Sequence, residues 1–148
     1  KNMNTNKSQA EQLPQDAVMQ SVILPNELRI GSIISDIFSE STQPFTITKL
    51  LQNKCYYKPG SNAVYDCKYE NLKPIPLTEE LLLKFGFQID ETYVSEQNPY
   101  LDYIKDEVRI SMPYYSFEFG DGAFMELKYV HQLQNLYFSL TARELTVA

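Results

Sequence analysis

The stretch Cys55-Tyr56-Tyr57-Lys58-Pro59-Gly60-Ser61-Asn62-Ala63-Val64-Tyr65-Asp66-Cys67-Lys68-Tyr69 decides the first half of the fold. Two tyrosine-bearing segments flank Pro59-Gly60-Ser61-Asn62. Tyrosine favours strands because its ring covers a pleated surface while its hydroxyl reaches water. Proline presets a turn dihedral, and glycine and asparagine tolerate the left-handed region, so the stretch reads as a β-hairpin. Within a hairpin, a Cys55–Cys67 disulfide becomes a question of register, since only directly opposed strands bring the sulfurs together. The spacing is too wide for a redox Cys-x-x-Cys, and two thiols with one histidine cannot complete a usual zinc site. Two reduced cysteines in or near a sheet are expected, with a hairpin disulfide as the alternative.

Working outward, Leu28-Arg29-Ile30-Gly31-Ser32-Ile33-Ile34 is β-branched, follows Pro25-Asn26, and reads as a strand with a bulge or bend at Gly31. Residues 44–51 alternate apolar and polar, as a half-buried strand does. Downstream, prolines keep 72–76 extended. Thr78 then N-caps a short helix over 79–85, with Glu79 and Glu80 at its positive end, Leu81, Leu82, Leu83 and Phe85 as its apolar residues, and Gly86 as its left-handed stop. So short a helix must dock on a sheet. Residues 88–100 are polar and read as a loop. Four strands are expected at 100–104, 108–112, 114–119 and 123–127, the last two joined by Gly120-Asp121-Gly122. From Lys128 to Leu140 the period changes. Val130, Leu133, Leu136, Tyr137 and Leu140 form a helical stripe. Thr141-Ala142-Arg143-Glu144 matches a capping box, which predicts a further helical turn. The fold class is therefore α+β: a small SH3-like β-barrel or antiparallel sheet over 22–76, then a short helix, a β-meander and a C-terminal helix over 77–148, together one domain. Residues 1–21 read as a flexible tail or a cloning remnant.

At 148 residues the chain can bury a core of its own. Charged residues make up 22% and hydrophobic residues 43%, which excludes global disorder. The net charge is −6 and no window concentrates Lys and Arg, so generic duplex binding is disfavoured, although a basic face could still assemble in three dimensions. No signal peptide is evident and no apolar run approaches a membrane span, so a cytoplasmic setting and no membrane partner are expected. No dinucleotide or P-loop glycine motif, nucleophile elbow or His-Glu-x-x-His occurs. No cofactor, metal or catalytic residue is expected.

Three groups of residues stand out. Tyr56, Tyr57, Tyr65 and Tyr69 cluster on the hairpin, and Tyr100, Tyr103, Tyr114 and Tyr115 fall in the second sheet. Because strand side chains alternate, the neighbours Tyr56-Tyr57 and Tyr114-Tyr115 send one ring to each face, leaving rings for a contact surface or for burial on both faces. His131, Gln132, Gln134 and Asn135 form either a polar recognition face or a polar flank that caps neighbouring backbone. Asp102, Asp106, Glu107, Glu118, Asp121 and Glu126 read as solvated strand faces. Lys54, Lys58 and Lys68 could touch phosphates if the barrel aromatics stack on a single strand.

Three longer strings carry a resemblance: Leu28-Arg29-Ile30-Gly31; Pro74-Ile75-Pro76-Leu77-Thr78-Glu79-Glu80-Leu81-Leu82-Leu83-Lys84-Phe85-Gly86-Phe87; and Tyr129-Val130-His131-Gln132-Leu133-Gln134-Asn135-Leu136-Tyr137-Phe138-Ser139-Leu140-Thr141. In this order the chain resembles, over about residues 28–145, an uncharacterised family of small Bacteroidota proteins also found in their phages and mobile elements. It departs from the family's pattern at Ser32 (usually Asn), Leu81 (usually Trp), Ser139 (usually Ala) and Ala142-Arg143 (usually Gly-Glu). The resemblance implies a bacterial or phage-associated protein. The expected function is protein–protein interaction or self-assembly through a tyrosine-rich β-surface, without catalysis. The candidate contacts are Tyr56, Tyr57, Tyr65, Tyr69, Tyr114, Tyr115, His131, Gln134 and Asn135. The alternative is a nucleic-acid accessory protein.

Overall fold

The computed structural model describes residues 23–37, 44–59, 62–92, 94, 100–118 and 122–147. The expected tail at 1–21 and the Asn98-Pro99 and Gly120-Asp121 turn residues lie outside them. Strands β1 (Ile33–Asp36), β2 (Phe45–Leu50), β3 (Lys54–Lys58), β4 (Tyr65–Lys68) and β5 (Leu72–Lys73) form one antiparallel sheet in the order β4-β3-β2-β1-β5. A three-residue 3-10 turn, Tyr69–Asn71, connects β4 to β5, which lie at opposite edges. Across a flat sheet those edges would stand about 19 Å apart. Even a fully extended link from Lys68 to Leu72 covers only about 14 Å. The sheet must therefore curl, and it forms a half-barrel around Ile34, Phe45, Ile47, Cys55, Cys67 and Leu72.

Helix α1 (Glu79–Lys84) opens the second half. The Leu81 N–H donates to the Thr78 hydroxyl at 3.3 Å, and Gly86 closes the helix at φ +83°. Strands β6 (Gln88–Asp90), β7 (Asp102–Lys105), β8 (Val108–Ser111), β9 (Ser116–Glu118) and β10 (Phe124–Glu126) follow as a meander in consecutive order. Helix α2 (Val130–Thr141) lies over it. Leu82, Phe85, Tyr103, Ile110, Leu127, Val130, Leu133 and Tyr137 make the second core. A bridge between Pro76 and Tyr129 stitches the halves together, with the Val130 N–H donating to the Ile75 carbonyl at 2.9 Å.

Three expectations need correction. The first strand begins at Ile33, not Leu28, because the chain turns at Ile30–Gly31 with Gly31 at φ +96°. A Cβ at Gly31 would also lie 3.3 Å from a Glu144 carboxylate oxygen. Residues 88–90 are a strand, not loop. They form the exposed outer edge of the meander, which tolerates a polar sequence. Residues 141–144 form no helical turn. The Thr141 hydroxyl donates back to the Tyr137 carbonyl at 2.7 Å, and the Glu144 carboxylate pairs with Arg29. Ala142 ends α2 in the left-handed region, at φ 54°.

A left-handed alanine is strained by its Cβ, whereas glycine is not. Ala142→Gly is expected to raise stability by about 0.5–1 kcal/mol despite glycine's larger unfolded-state entropy, measured as a higher urea midpoint at unchanged slope.

Candidate interaction surfaces

On the hairpin, Cys55 sits directly opposite Cys67, Tyr56 opposite Asp66, and Tyr57 opposite Tyr65. Alternation sends Cys55, Tyr57, Tyr65 and Cys67 to the concave face and Lys54, Tyr56, Lys58, Asp66 and Lys68 to the convex one. Both thiols are free and buried, and burial pushes each up to about 11, so they stay protonated and unreactive at neutral pH. Phe45, Tyr57 and Tyr65 stack in a row at the rim, with centroids 3.8 and 5.9 Å apart. Tyr57 is half-buried and its hydroxyl lies 3.4 Å from an Asp36 oxygen, while Tyr65 at the end of the row is exposed. Tyr69 packs against the half-barrel core and donates to the Leu51 carbonyl. Of the four hairpin tyrosines, therefore, Tyr57 and Tyr69 serve the core, whereas Tyr65 and the half-exposed Tyr56 remain for contacts.

The pair at 114–115 also splits. Tyr115, at φ 48°, packs against the second core, whereas Tyr114 is 65% exposed. Phe124 on β10 is 74% exposed, a residue that sequence reasoning did not single out. Tyr114, Ser116, Phe124 and Glu126 line a shallow cavity of about 420 Å³. Tyr100, with its ring 6.3 Å from that of Tyr114, extends the apolar patch. Strand β10 forms the edge of its sheet, and all three of its residues are exposed. The signal available in the sequence was a large aromatic two residues after Gly122, ahead of the core residue Leu127.

Of the expected recognition face on α2, His131 and Gln134 are internal, while Gln132 and Asn135 are half-buried. Gln134 is 1% exposed. Its Oε1 accepts from the Ile33 N–H at 2.8 Å, and its Nε2 donates to the carbonyls of Gly31 (3.1 Å) and Leu145 (3.3 Å). Asn135 Nδ2 donates to the Glu27 carbonyl at 2.7 Å, while its Oδ1 accepts from Arg29 Nε at 3.0 Å. Arg29 also donates to the Gln134 carbonyl, pairs with Glu144 at 2.5 Å, and lies 4.6 Å over the Phe138 ring. The Gln132 side chain accepts from the Lys128 and Tyr129 N–H groups and caps α2. These amides complete backbone, as in the capping reading of the sequence. Gln134 is closed off between α2 and β1, whereas Gln132 and Asn135 are half-buried and engaged with backbone.

His131 is also 1% exposed, stacked beside Tyr129, and neither ring nitrogen has a hydrogen-bond partner among the described residues. Of the acidic residues that stood out, Asp102 and Asp106 are paired, and Asp121 lies outside the described residues. Asp90 and Asp102 flank Arg109 at 3.2 and 2.6 Å, and Asp106 accepts from Tyr137 and pairs with Arg143. No metal-holding group of carboxylates, histidine and thiols occurs among the described residues, and no helix there is long and apolar enough to cross a membrane. A scan against protein families, a search of curated proteins and a search of solved structures each found no match.

Two outcomes follow from the α2 seam. Gln134→Leu strands the Ile33 N–H and two carbonyls in the interior, and is expected to cost at least about 2 kcal/mol in urea denaturation. Burial holds the His131 pKa below its ordinary value. The unfolded chain therefore takes up the proton first as pH falls, and stability drops below about pH 6.5. His131→Leu should flatten the stability difference between pH 7 and pH 5 relative to the parent chain. An unchanged difference would show that His131 is accessible to protons in the native state.

Proposed function

We propose that this protein acts by protein–protein contact through its tyrosine-rich β-surface, with a second copy as the simplest partner, and without catalysis. The observation that supports this best is the exposure of Phe124 on an edge strand with no buried residue, where it lines one shallow cavity with Tyr114 of the turn before β9. An exposed apolar edge offers both unpaired backbone groups and ring surface, and natural proteins normally blunt or cover such edges. Tyrosine and phenylalanine also provide large contact area with few rotors. The absence of catalysis is supported by the lone histidine, which is shut away from solvent. A setting in Bacteroidota, their phages or mobile elements, within the bacterial cytoplasm or a phage particle, rests on the resemblance of 28–145. The left-handed dihedral at Ala142, where that family usually carries glycine, is consistent with it.

Size-exclusion chromatography with light scattering, at low and high salt, tests the reading. The full chain should run above monomer mass in both salts. Phe124→Lys should return it to monomer without lowering the melting temperature, because the ring contributes little to the core. A parent chain that stays monomeric at every concentration in both salts would sink self-assembly.

A further inference from the structure

The convex face of β2, β3 and β4 gathers four of the thirteen basic residues of an acidic chain. Lys54 and Lys58 flank Tyr56 along β3. Lys68 lies directly opposite Lys54, and Lys49 directly opposite Tyr56. Lys49 reaches this face through a register shift between Ile47 and Lys49, which leaves the consecutive residues Thr48 and Lys49 both exposed. Bulges re-aim side chains in this way. The ammonium groups of Lys49 and Lys54 lie 5.6 and 5.3 Å from the Tyr56 ring centroid. Asp66 holds Lys54 at 3.1 Å and Glu70 reaches Lys68 at 3.7 Å, whereas Lys49 and Lys58 have no carboxylate partner among the described residues. Like charges directly opposed across strands are destabilising, and Lys54 and Lys68 face each other in this way.

We propose that this face binds single-stranded nucleic acid, with Lys49, Lys58 and Lys68 on phosphates and a base against the Tyr56 ring. The charge pattern complements a polyanion, and the ring at its centre distinguishes the occupant. A base has a π-face to stack on tyrosine, whereas an acidic peptide supplies only carboxylates, and a duplex keeps its base faces covered. Lys49 and Lys54, now over the ring, are long enough to turn outward to phosphates as a base takes their place. The face lies on the other sheet from the β10 edge, so the inference does not rest on the proposed protein contact.

The test is fluorescence anisotropy of a labelled oligothymidylate of about twelve nucleotides with the full chain, at about 50 and 200 mM salt. Binding is expected at the lower salt and should weaken steeply at the higher. Lys49→Glu with Lys58→Glu, both at exposed positions without ion-pair partners, should weaken it at least about tenfold and reduce the salt slope by about 1.4. Tyr56→Ala should weaken it while Tyr56→Phe retains it. No binding at the lower salt, or binding unaffected by the lysine pair, overturns the proposal. So does equal competition by polyglutamate together with an indifferent Tyr56→Ala, which would assign the face to an acidic protein.

Discussion

The Gln134 amide is the contact on which the arrangement of the two halves depends. One side chain satisfies an N–H from β1, the carbonyl of the Gly31 turn and the carbonyl of Leu145. Buried backbone groups left unpaired are costly, so α2 can sit against the half-barrel only if such a residue occupies that position. Arg29 and Asn135 extend the same seam toward the surface, where Glu144 closes it. Gly31 belongs to the same constraint. Its positive φ turns the chain into β1, and its missing side chain leaves room for the Glu144 carboxylate. Helix α2 thus has two working faces. Val130, Leu133, Leu136 and Tyr137 pack into the meander core, and Gln134 and Asn135 bind the backbone of the other half.

The two sheets dispose of their edges differently. In the first, the short link through Tyr69–Asn71 draws β4 and β5 together and curls the sheet. In the second, consecutive strands leave β6 and β10 as edges. The β6 edge is polar and packs Asp90 against Arg109, which discourages pairing with another chain. The β10 edge carries Glu126 without an ion-pair partner among the described residues and places Phe124 beside Tyr114. This asymmetry within one sheet is what separates a contact surface from ordinary exposure of single apolar residues.

The hairpin shows how one local rule yields two environments. Alternation puts Tyr57 into the concave row with Phe45 and Tyr65, and Tyr56 among lysines on the convex side. The lysines come from three strands and are separated in sequence by up to nineteen positions, from Lys49 to Lys68. Register alone brings them together.

Local chemistry determined much of this protein before any tertiary contact. The hairpin of β3 and β4, the Thr78 cap and Gly86 stop of α1, the β-meander and the apolar stripe of α2 all depend on backbone preferences and periodicity acting over a few residues. So does the splitting of Tyr56 and Tyr57 across the two faces of β3, whereas Tyr114 and Tyr115 separate in a turn. Tertiary structure decided what depends on distant partners. Strand β6 is too polar to be seen without β7 beside it. The 141–144 segment matched a capping box but gave Glu144 to Arg29, 115 residues away in sequence. His131 and Gln134 had the composition of a recognition face, yet which side of a helix meets water depends on how many surfaces pack against it. Here two do, and the polar flank became the joint between them.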